Sequence, residues 1–498
     1  MPRRDRLDDA TRPHRPGDGA GPAVREAMMR LLPGHRNLSS AGTAVPHVLI
    51  VGAGFAGFHC ARELERRMRP GEARVTMASP TDYMLYSPLL PHVAAGILQP
   101  ADIAVSLRRT LRHTLRAPCR IVGVDLADRV CIAHSIDGCE HAVHWDRLVL
   151  CPGAITRTFA IPGLDRYGRG MKSLAEASYL HDHVLAELEL ANIVDDEHRR
   201  AAHCTFVVVG AGYAGAETAA TLRAFTRHAV RRFINLRPGD VRWILADVAP
   251  RVLPELGEQL GEHALRVLRQ QGIDVRLKTS ITRVDNECVQ LSDGQVIACR
   301  TLIWTAGITA NPLLGTLGLD TGRAGRLIVT PELHTAQRPD VFAAGDAAAV
   351  PDLTKPEGAV TPPTAQHAQR QGITLARNIL ASLRGEPLRA YRHRDLGLVV
   401  DLGGMRSVAR PLGRNLTGLP AQLVTRGYHL AALPSLRSRA KAGADWLIHA
   451  GLGEDFVRVG LLDTAPTGPC EQVGYLSADQ ASTLAASLPP SSAPQVLR

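Results

Sequence analysis

A β-strand pattern that runs directly into a glycine-rich turn constrains the fold of this chain more than any other feature. Val48–Val51 is a continuous apolar run. It leads into the spacing Gly-x-Gly-x-x-Gly at Gly52, Gly54 and Gly57, and residues with helical spacing follow. The first glycine permits a tight turn, the second lets a pyrophosphate approach the backbone, and the third lets the helix pack closely on the strand. The stretch predicts a dinucleotide-binding βαβ unit, with phosphates at the N-terminus of the helix.

The same pattern occurs a second time. Thr205–Val209 is an apolar run that leads into Gly210, Gly212 and Gly215, and a helical pattern follows again. Two fingerprints indicate two dinucleotides, and the common pairing is a flavin with a nicotinamide. The alternative for either copy is a tight turn that binds nothing. The expected fold class is therefore α/β with two Rossmann-like dinucleotide-binding domains, the second inserted in the first, and a C-terminal amphipathic helical region.

The strand after each fingerprint ends in a residue placed to contact a ribose. The first, Arg74–Ala78, leads to Ser79. An acidic residue is common at this position, and a hydroxyl is a weaker acceptor than a carboxylate. The second strand ends in Asp247. An acidic residue there favours NADH, because it repels the 2′-phosphate of NADPH. The alternative for Asp247 is a surface carboxylate at a strand end.

Three more strand patterns end in glycine. Gly153 and Gly307 follow apolar strands and are expected where the chain crosses between the two dinucleotide units. Gly345 and Asp346 follow the short strand pattern Val341–Ala344. A carboxylate beside closely approaching backbone is suited to hydrogen-bonding a ribose or ribityl hydroxyl. A Gly-Asp pair by itself indicates only an ordinary turn. It is evidence for a cofactor site here because two fingerprints precede it in the chain.

Two polar side chains are candidates for catalysis. Glu217 lies in the first turns of the helix after the second fingerprint. Gln366 shares one helix face with Gln369, and Pro363 is placed to begin that helix. Glutamines are common on helix surfaces, so a functional role for Gln366 is supported only in combination with the other motifs.

Composition excludes several other classes of protein. A net charge of +10 permits binding to nucleic acid or to an anionic membrane surface. No zinc-finger or RNA-recognition motif is present, so no nucleic-acid partner is expected. Nine cysteines without a Cys-x-x-Cys spacing predict neither a metal site nor a thioredoxin-like pair, and a reduced, cytoplasmic protein is expected.

The two ends and the C-terminal region have distinct compositions. Residues 1–46 are rich in Arg, Pro and Gly without a secretory signal, which predicts a basic, mostly disordered extension. Residues 401–455 are apolar with scattered basic residues, but no run reaches the ~20 residues of a membrane-spanning helix. Amphipathic helices on a membrane surface or at a homodimer interface are expected there. Residues 456–498 are predicted to be a mostly disordered tail.

Taken together, four motifs resemble those of type II NADH dehydrogenases, the non-pumping NADH:quinone oxidoreductases of the pyridine nucleotide-disulfide oxidoreductase superfamily. The resemblance covers roughly residues 46–455. Its motifs are Val51–Gly57, Val209–Glu217, Val341–Asp346 and Pro363–Gln369. It implies an FAD domain over 47–163 and 321–400 and an NADH domain over 164–320. It also implies hydride transfer from NADH to the flavin, electron transfer to a quinone, and a peripheral position on the inner face of the cell membrane.

The resemblance also assigns residues to these roles. Glu217 matches a glutamate beside the nicotinamide, and Ala365-Gln366 matches the quinone-pocket motif. Ser79 departs from the acidic ribose ligand of the family, and Leu396 stands where many members have a lysine near the quinone. FAD is assigned to Gly52, Gly54, Gly57 and Asp346, and NADH to Gly210, Gly212, Gly215 and Asp247.

Other functions remain as alternatives. A sulfide:quinone oxidoreductase needs a cysteine pair over the flavin, and no cysteine lies between Cys299 and Cys470. A soluble NADH:acceptor reductase would have little use for the basic and apolar C-terminal region. A redox-sensing flavoprotein with little turnover would fit the Arg- and Pro-rich N-terminal extension and the absent lysine.

Overall fold

The computed structural model describes residues 45–393, 396–404 and 406–460. Nearly all of the predicted basic extension and most of the predicted tail lie outside these described residues. The described chain is an α/β protein built on two parallel sheets, so the predicted fold class is confirmed. The domain boundaries given above stay predictions.

The first fingerprint lies at the centre of a five-stranded parallel sheet. Its central strand is buried along its whole length, which explains why the sequence there is continuously apolar rather than alternating. Val48 lies opposite Val75 on one side and Arg147 on the other. In sheet order the strands are β21 (Val341–Ala343), β9 (Arg147–Leu150), β1 (His47–Val51), β2 (Arg74–Ala78) and β5 (Leu115–Ala117).

The second fingerprint has the same place in a second five-stranded parallel sheet. The Phe206 and Trp243 rings stack there with centroids 4.8 Å apart, and the indole N–H of Trp243 donates to Thr226 Oγ1 at 3.0 Å. The buried Trp243 therefore has its polar atom satisfied. In sheet order the strands are β11 (Gly168–Arg169), β18 (Thr301–Trp304), β12 (Thr205–Val209), β13 (Arg242–Asp247) and β14 (Ile273–Leu277).

The chain passes between the two sheets twice, and the two passages are hydrogen-bonded to each other. Strand β10 (Ala154–Thr156) pairs antiparallel with β19 (Ile308–Ala310), with Ala154 opposite Ala310. Each strand begins directly after a glycine singled out from the sequence, Gly153 or Gly307. The two crossing segments therefore lie side by side.

The helices cover the sheets and build the C-terminal region. The helix after the first fingerprint packs tightly on a long C-terminal helix, since a Cβ on Gly372 would lie 2.3 Å from the carbonyl oxygen of Ala56. The α-helices in the described part of the chain are α1 (Phe55–Arg67), α2 (Leu90–Ala94), α3 (Pro100–Ile103), α4 (Leu107–Thr110), α5 (Leu164–Tyr167), α6 (Leu174–Ile193), α7 (Glu197–His203), α8 (Tyr213–Ala229), α9 (Glu258–Gln270), α10 (Ala365–Arg384), α11 (Gly418–Ala432) and α12 (Leu436–Leu452).

Short strands complete the fold. Those after β5 and β14 form three-stranded antiparallel sheets, and another such sheet precedes α11. The remaining strands are β3 (Tyr83–Leu85), β4 (Ala104–Ser106), β6 (Cys119–Asp125), β7 (Val130–Ser135), β8 (Glu140–His144), β15 (Ile281–Val284), β16 (Cys288–Leu291), β17 (Val296–Ala298), β20 (Leu327–Ile328), β22 (Ala348–Ala349), β23 (Val399–Asp401), β24 (Ser407–Ala409) and β25 (Leu416–Thr417).

Candidate active site

The first glycine turn has the geometry that a dinucleotide phosphate requires. Gly52 adopts φ +98°, and a Cβ there would lie 2.3 Å from the carbonyl oxygen of Cys151. A Cβ on Gly57 would lie 2.0 Å from the carbonyl oxygen of Gly52. By contrast, no heavy atom of the described residues lies within 4 Å of a Cβ built on Gly54. Two glycines are therefore fixed by close packing, while the middle one faces open space at the N-terminus of α1.

The second turn repeats this geometry residue by residue. Gly210 adopts φ +107°, and a Cβ on Gly215 would lie 1.7 Å from the carbonyl oxygen of Gly210. The position beside Gly212 is open, as it is beside Gly54. Thr305 closes the turn from the adjacent strand, because its hydroxyl donates to the carbonyl oxygen of Val209 at 2.7 Å. The chain therefore has two dinucleotide cradles of the same design.

Both predicted ribose contacts lie at the ends of the expected strands. Ser79 follows β2 and is buried, with its hydroxyl 3.3 Å from Thr81 Oγ1. Asp247 ends β13, and its carboxylate accepts from the backbone N–H of Ala211 in the second turn and from that of Ala249 at 2.7 Å. The Asp247 carboxylate is therefore tied to the glycine turn, next to the position where the ribose would lie.

The two crossing glycines have similar surroundings, and the carbonyl oxygen of Gly153 accepts from the backbone N–H of Asn311 at 3.3 Å. Gly153 adopts φ +76° with no described heavy atom within 4 Å of its Cβ position. Gly307 adopts φ +97°, and its carbonyl oxygen accepts from the backbone N–H of Arg157 at 3.1 Å. Both need the left-handed backbone conformation that favours glycine. They lie at the start of the paired strands β10 and β19.

The Gly345-Asp346 turn lies between α1 and α10. A Cβ on Gly345 would lie 3.2 Å from the Cβ of Ala56. Gln371 braces the turn, because its side-chain oxygen accepts from the Gly345 N–H at 2.8 Å. The Asp346 carboxylate is a quarter exposed and lies 4.0 Å from Lys172 Nζ. Neither Gln371 nor Lys172 was identified from the sequence, and only their proximity in the fold reveals them.

Gln366 lies in the first turn of α10. Its side-chain NH₂ donates to the carbonyl oxygen of Gly397 at 3.3 Å, and its side-chain oxygen accepts from Arg370 at 2.9 Å. The same oxygen lies 3.4 Å from the backbone N–H of Leu396. Gln366 therefore connects α10 to the segment that carries Leu396.

Glu217 is partly buried on α8, two residues after Gly215. Its carboxyl oxygen accepts from the backbone N–H of Asp401 at 2.8 Å. Burial raises the pKa of Glu217 to about 8; the Asp401 carboxylate acts in the same direction, while the Asp401 N–H and Arg426 oppose it. A carboxyl with a pKa near neutral is suited to holding and releasing a proton.

Asp401 was not predicted from the sequence, although it ends the apolar pattern Val399-Val400. Its carboxylate lies 3.3 Å from both His92 Nε2 and an Arg426 nitrogen. His92 lies on α2 and Arg426 on α11, so residues from three distant segments meet beside Glu217. A strand pattern that ends in an acidic residue was the one local signal, and the same signal had identified Asp247.

The cysteines of the described residues form no disulfide. Eight of the nine lie within the described residues, and all eight are free thiols. Cys151 is the one nearest to a crossing point, and burial raises its pKa to about 12. Cys470 lies outside the described residues. A thiol with so high a pKa is a poor nucleophile at neutral pH, so Cys151 is suited to packing rather than to sulfide chemistry.

Comparison with known proteins agrees with this geometry. The family model "Pyridine nucleotide-disulphide oxidoreductase" matches residues 46–372. Two type II NADH:quinone oxidoreductases of Mycobacterium tuberculosis are similar: Ndh, 31% identical over 421 residues (80% of this chain, 87% of the relative), and NdhA, 30% identical over 417 residues (80% and 86%). NDH2 of Plasmodium falciparum, solved in complex with NADH, matches with a TM-score of 0.76 at 18% identity, over 83% of this chain and 99% of that one. The chain therefore belongs to the pyridine nucleotide-disulphide oxidoreductases and, within them, to the family of type II NADH:quinone oxidoreductases.

Proposed function

We propose that this chain transfers electrons from NADH to a quinone, with FAD bound between the two substrates. The observation that carries the proposal is the presence of two dinucleotide cradles of matching geometry, connected by the paired strands β10 and β19. Bound FAD supplies the capacity to accept a hydride and to release electrons to a second substrate. The chain itself binds and orients both dinucleotides and handles protons.

The first cradle fits FAD. The open position at Gly54 leaves room for a pyrophosphate at the N-terminus of α1. The partly exposed Asp346 carboxylate is suited to accepting hydrogen bonds from ribityl hydroxyls. We assign FAD binding to Gly52, Gly54, Gly57, Ser79, Gly153, Gly345 and Asp346.

The second cradle fits NADH. Gly212 leaves the same open position at the N-terminus of α8, and Asp247 provides a negative charge beside the turn. That charge disfavours the 2′-phosphate of NADPH. We assign NADH binding to Gly210, Gly212, Gly215, Asp247 and Gly307.

Two side chains are proposed to act in catalysis. Glu217 holds a proton beside the nicotinamide position, which its buried environment favours. Gln366 positions the quinone, since Ala365-Gln366 matches the quinone-pocket motif; its side chain contacts the Gly397 backbone. Glu217 therefore handles a proton and Gln366 orients a substrate. Neither acts as a nucleophile, because the chemistry requires none from the protein.

An anaerobic stopped-flow assay of flavin absorbance tests this function. We expect NADH to bleach the bound flavin and a short-chain quinone to restore its absorbance. NADPH should react at least about tenfold more slowly, because its 2′-phosphate lies beside Asp247. Bleaching that no acceptor reverses would favour a redox sensor, and reoxidation only by a small protein would favour a soluble reductase. A colourless protein that does not take up added FAD would contradict the proposal.

We also propose that the C-terminal helices attach the protein to the inner face of the cell membrane from the cytoplasm. Large apolar side chains are exposed on α11 and α12, and residues of this kind bind the interfacial region of a bilayer. No helix of the described residues is long and apolar enough to cross a membrane. The exposed side chains are Leu419, Leu423, Leu436, Leu447, Ile448 and Leu452.

Vesicle binding tests this attachment. We expect the full-length protein to co-sediment with vesicles that contain anionic lipid, and we expect the double variant Leu423→Asp/Leu447→Asp to bind roughly 100-fold more weakly. The estimate takes ~1.5 kcal/mol for each buried leucine. Ile193→Asp, at an exposed apolar position on α6, is the matched control and should bind like the wild type. A protein that ignores vesicles and elutes as a dimer, which the double variant dissociates, would make this surface a homodimer interface instead.

A further inference from the structure

A cluster of polar side chains, three of them buried and two partly buried, lies where α2, β23, α11 and α12 meet. We call it the Asp401 cluster, and its members are His92, Asp401, Gln422, Arg426 and Trp446. Asp401 and His92 are 4% exposed, which is unusual for charged or titratable side chains. Because burying polar groups is costly unless they are paired, each member should have partners.

Asp401 is the centre of the cluster. Its carboxylate contacts His92 Nε2 and Arg426 at 3.3 Å each, and it accepts from the Gln422 side chain at 3.2 Å. The backbone N–H of Gly403 donates to its other oxygen at 2.9 Å. Burial acts to raise the pKa of Asp401, but His92, Arg426 and Gln422 together hold it well below its usual range, and His92 has the strongest lowering effect. Asp401 therefore carries a buried negative charge at neutral pH.

His92 is oriented by its neighbours. Its Nδ1 lies 3.3 Å from the indole N–H of Trp446 and 3.4 Å from Arg426. Both of these groups only donate hydrogen bonds, so Nδ1 accepts and the ring proton lies on Nε2, facing Asp401. Burial and the Arg426 charge lower the pKa of His92, which keeps the ring neutral. The Arg426 guanidinium also lies 4.2 Å above the Trp446 ring.

Asp401 connects the cluster to Glu217. The backbone N–H of Asp401 donates to the Glu217 carboxyl, while the Asp401 side chain places its negative charge nearby. The other groups that face Glu217 are Arg426 on α11 and the phenol of Tyr86, whose hydroxyl lies 3.0 Å from Nδ1 of the buried His429. Burial and the Asp401 carboxylate oppose ionisation of Glu217, whereas the Asp401 N–H and Arg426 favour it.

We propose that Asp401 is a positioning residue for proton transfer: its backbone N–H orients the Glu217 carboxyl, and its buried carboxylate places a negative charge near that carboxyl. This inference rests on the proposed function. The hydride of NADH carries two electrons and one proton, whereas reduction of a quinone to a quinol takes two electrons and two protons. The Glu217 carboxyl releases the second proton, its O–H bond breaking as that proton leaves for the quinone side of the flavin, where the quinol O–H bond forms, and it then recovers a proton from water.

Infrared spectroscopy of the full-length, flavin-loaded protein tests the inference without turnover. The C=O band of a protonated carboxyl is recorded from pH 5 to pH 10, and the band lost in Glu217→Gln identifies Glu217. We expect Asp401→Asn to shift the midpoint of this band down by about one pH unit or more, because it removes the charge but keeps the backbone donor. One unit corresponds to a tenfold change in the ionisation equilibrium.

Two further variants make the result decisive. Ser407→Ala removes a neutral hydroxyl that donates to Gln422, and it should leave the midpoint unchanged. Arg426→Gln removes the opposing charge and should shift the midpoint up, which keeps the test valid should Asp401→Asn fail to fold. Equal midpoints in the wild type and the charge variants, or no Glu217 band at pH 7, would overturn the inference. Shifted midpoints in a protein that does not oxidise NADH would instead overturn the proposed function alone.

Discussion

Gly215→Val is expected to abolish flavin reduction by NADH while bound FAD is retained. A Cβ at this position would lie 1.7 Å from the carbonyl oxygen of Gly210 and 2.6 Å from Thr305 Oγ1, so the second turn must move. Because a displacement of about 1 Å can cost roughly 100-fold in rate, the rate of flavin bleaching should fall at least that far. The first cradle lies on a different sheet, so the flavin spectrum and content should stay as in the wild type.

Two companion variants separate a local effect from misfolding. Gly239→Val lies near the same sheet at an open position with an ordinary φ, and it should bleach at the wild-type rate. Gly57→Val is the reciprocal change in the first cradle, where the Cβ would lie 2.0 Å from the Gly52 carbonyl oxygen, and it should lose flavin. Near-normal bleaching in Gly215→Val, or joint loss of flavin and NADH binding, would contradict the assignment of the second cradle to NADH.

Glu217→Gln is expected to remove a large pH dependence of stability. The pKa of Glu217 rises from 4.5 to about 8 in the folded protein, mainly through burial. Below pH 4.5 the carboxyl is protonated in both the folded and the unfolded state. Above it the unfolded state loses the proton first, so stability falls as the pH rises towards about 8. The total effect on the free energy of unfolding is about 5 kcal/mol, whereas the amide of the variant does not titrate.

Urea unfolding at pH 5 and pH 8 measures this difference. The wild type should lose stability relative to Glu217→Gln between the two values, since carboxylates such as Asp401 titrate in both proteins and cancel. Glu189→Gln, at an exposed position on α6, should follow the wild type. Parallel stability curves for the wild type and Glu217→Gln would show that Glu217 ionises normally in the folded protein.

The parts of the fold that depend on residues close together in the sequence could be predicted from it. β1 and β12 are continuous apolar runs because parallel strands are buried on both faces. Each glycine of the two fingerprints has its own steric requirement, which makes the turns recognisable in a single sequence. The pairing of β10 with β19 could be predicted only in part. Gly153 and Gly307 indicate where the chain crosses between the sheets, but not that the two crossing strands pair with each other.

The Asp401 cluster could not be predicted, because its members come from distant parts of the chain. Asp401 and Glu217 are separated by 184 positions, and Trp446 and His92 by 354. Seen alone, each has an ordinary interpretation: Arg426 is one basic residue among several, and His92 follows a proline in an apolar segment. Only the folded chain shows that they share one buried space. Gln371 and Lys172 were missed for the same reason.

The pairing of β10 with β19 also bears on how the two halves of the molecule can move. A single connection would act as a swivel, around which one half rotates freely against the other. Two connections that are paired by backbone hydrogen bonds resist such twisting, because rotation would break the hydrogen bonds between β10 and β19. Bending across the ladder is the motion that preserves these bonds, so we expect the two sheets to hinge against each other rather than to twist.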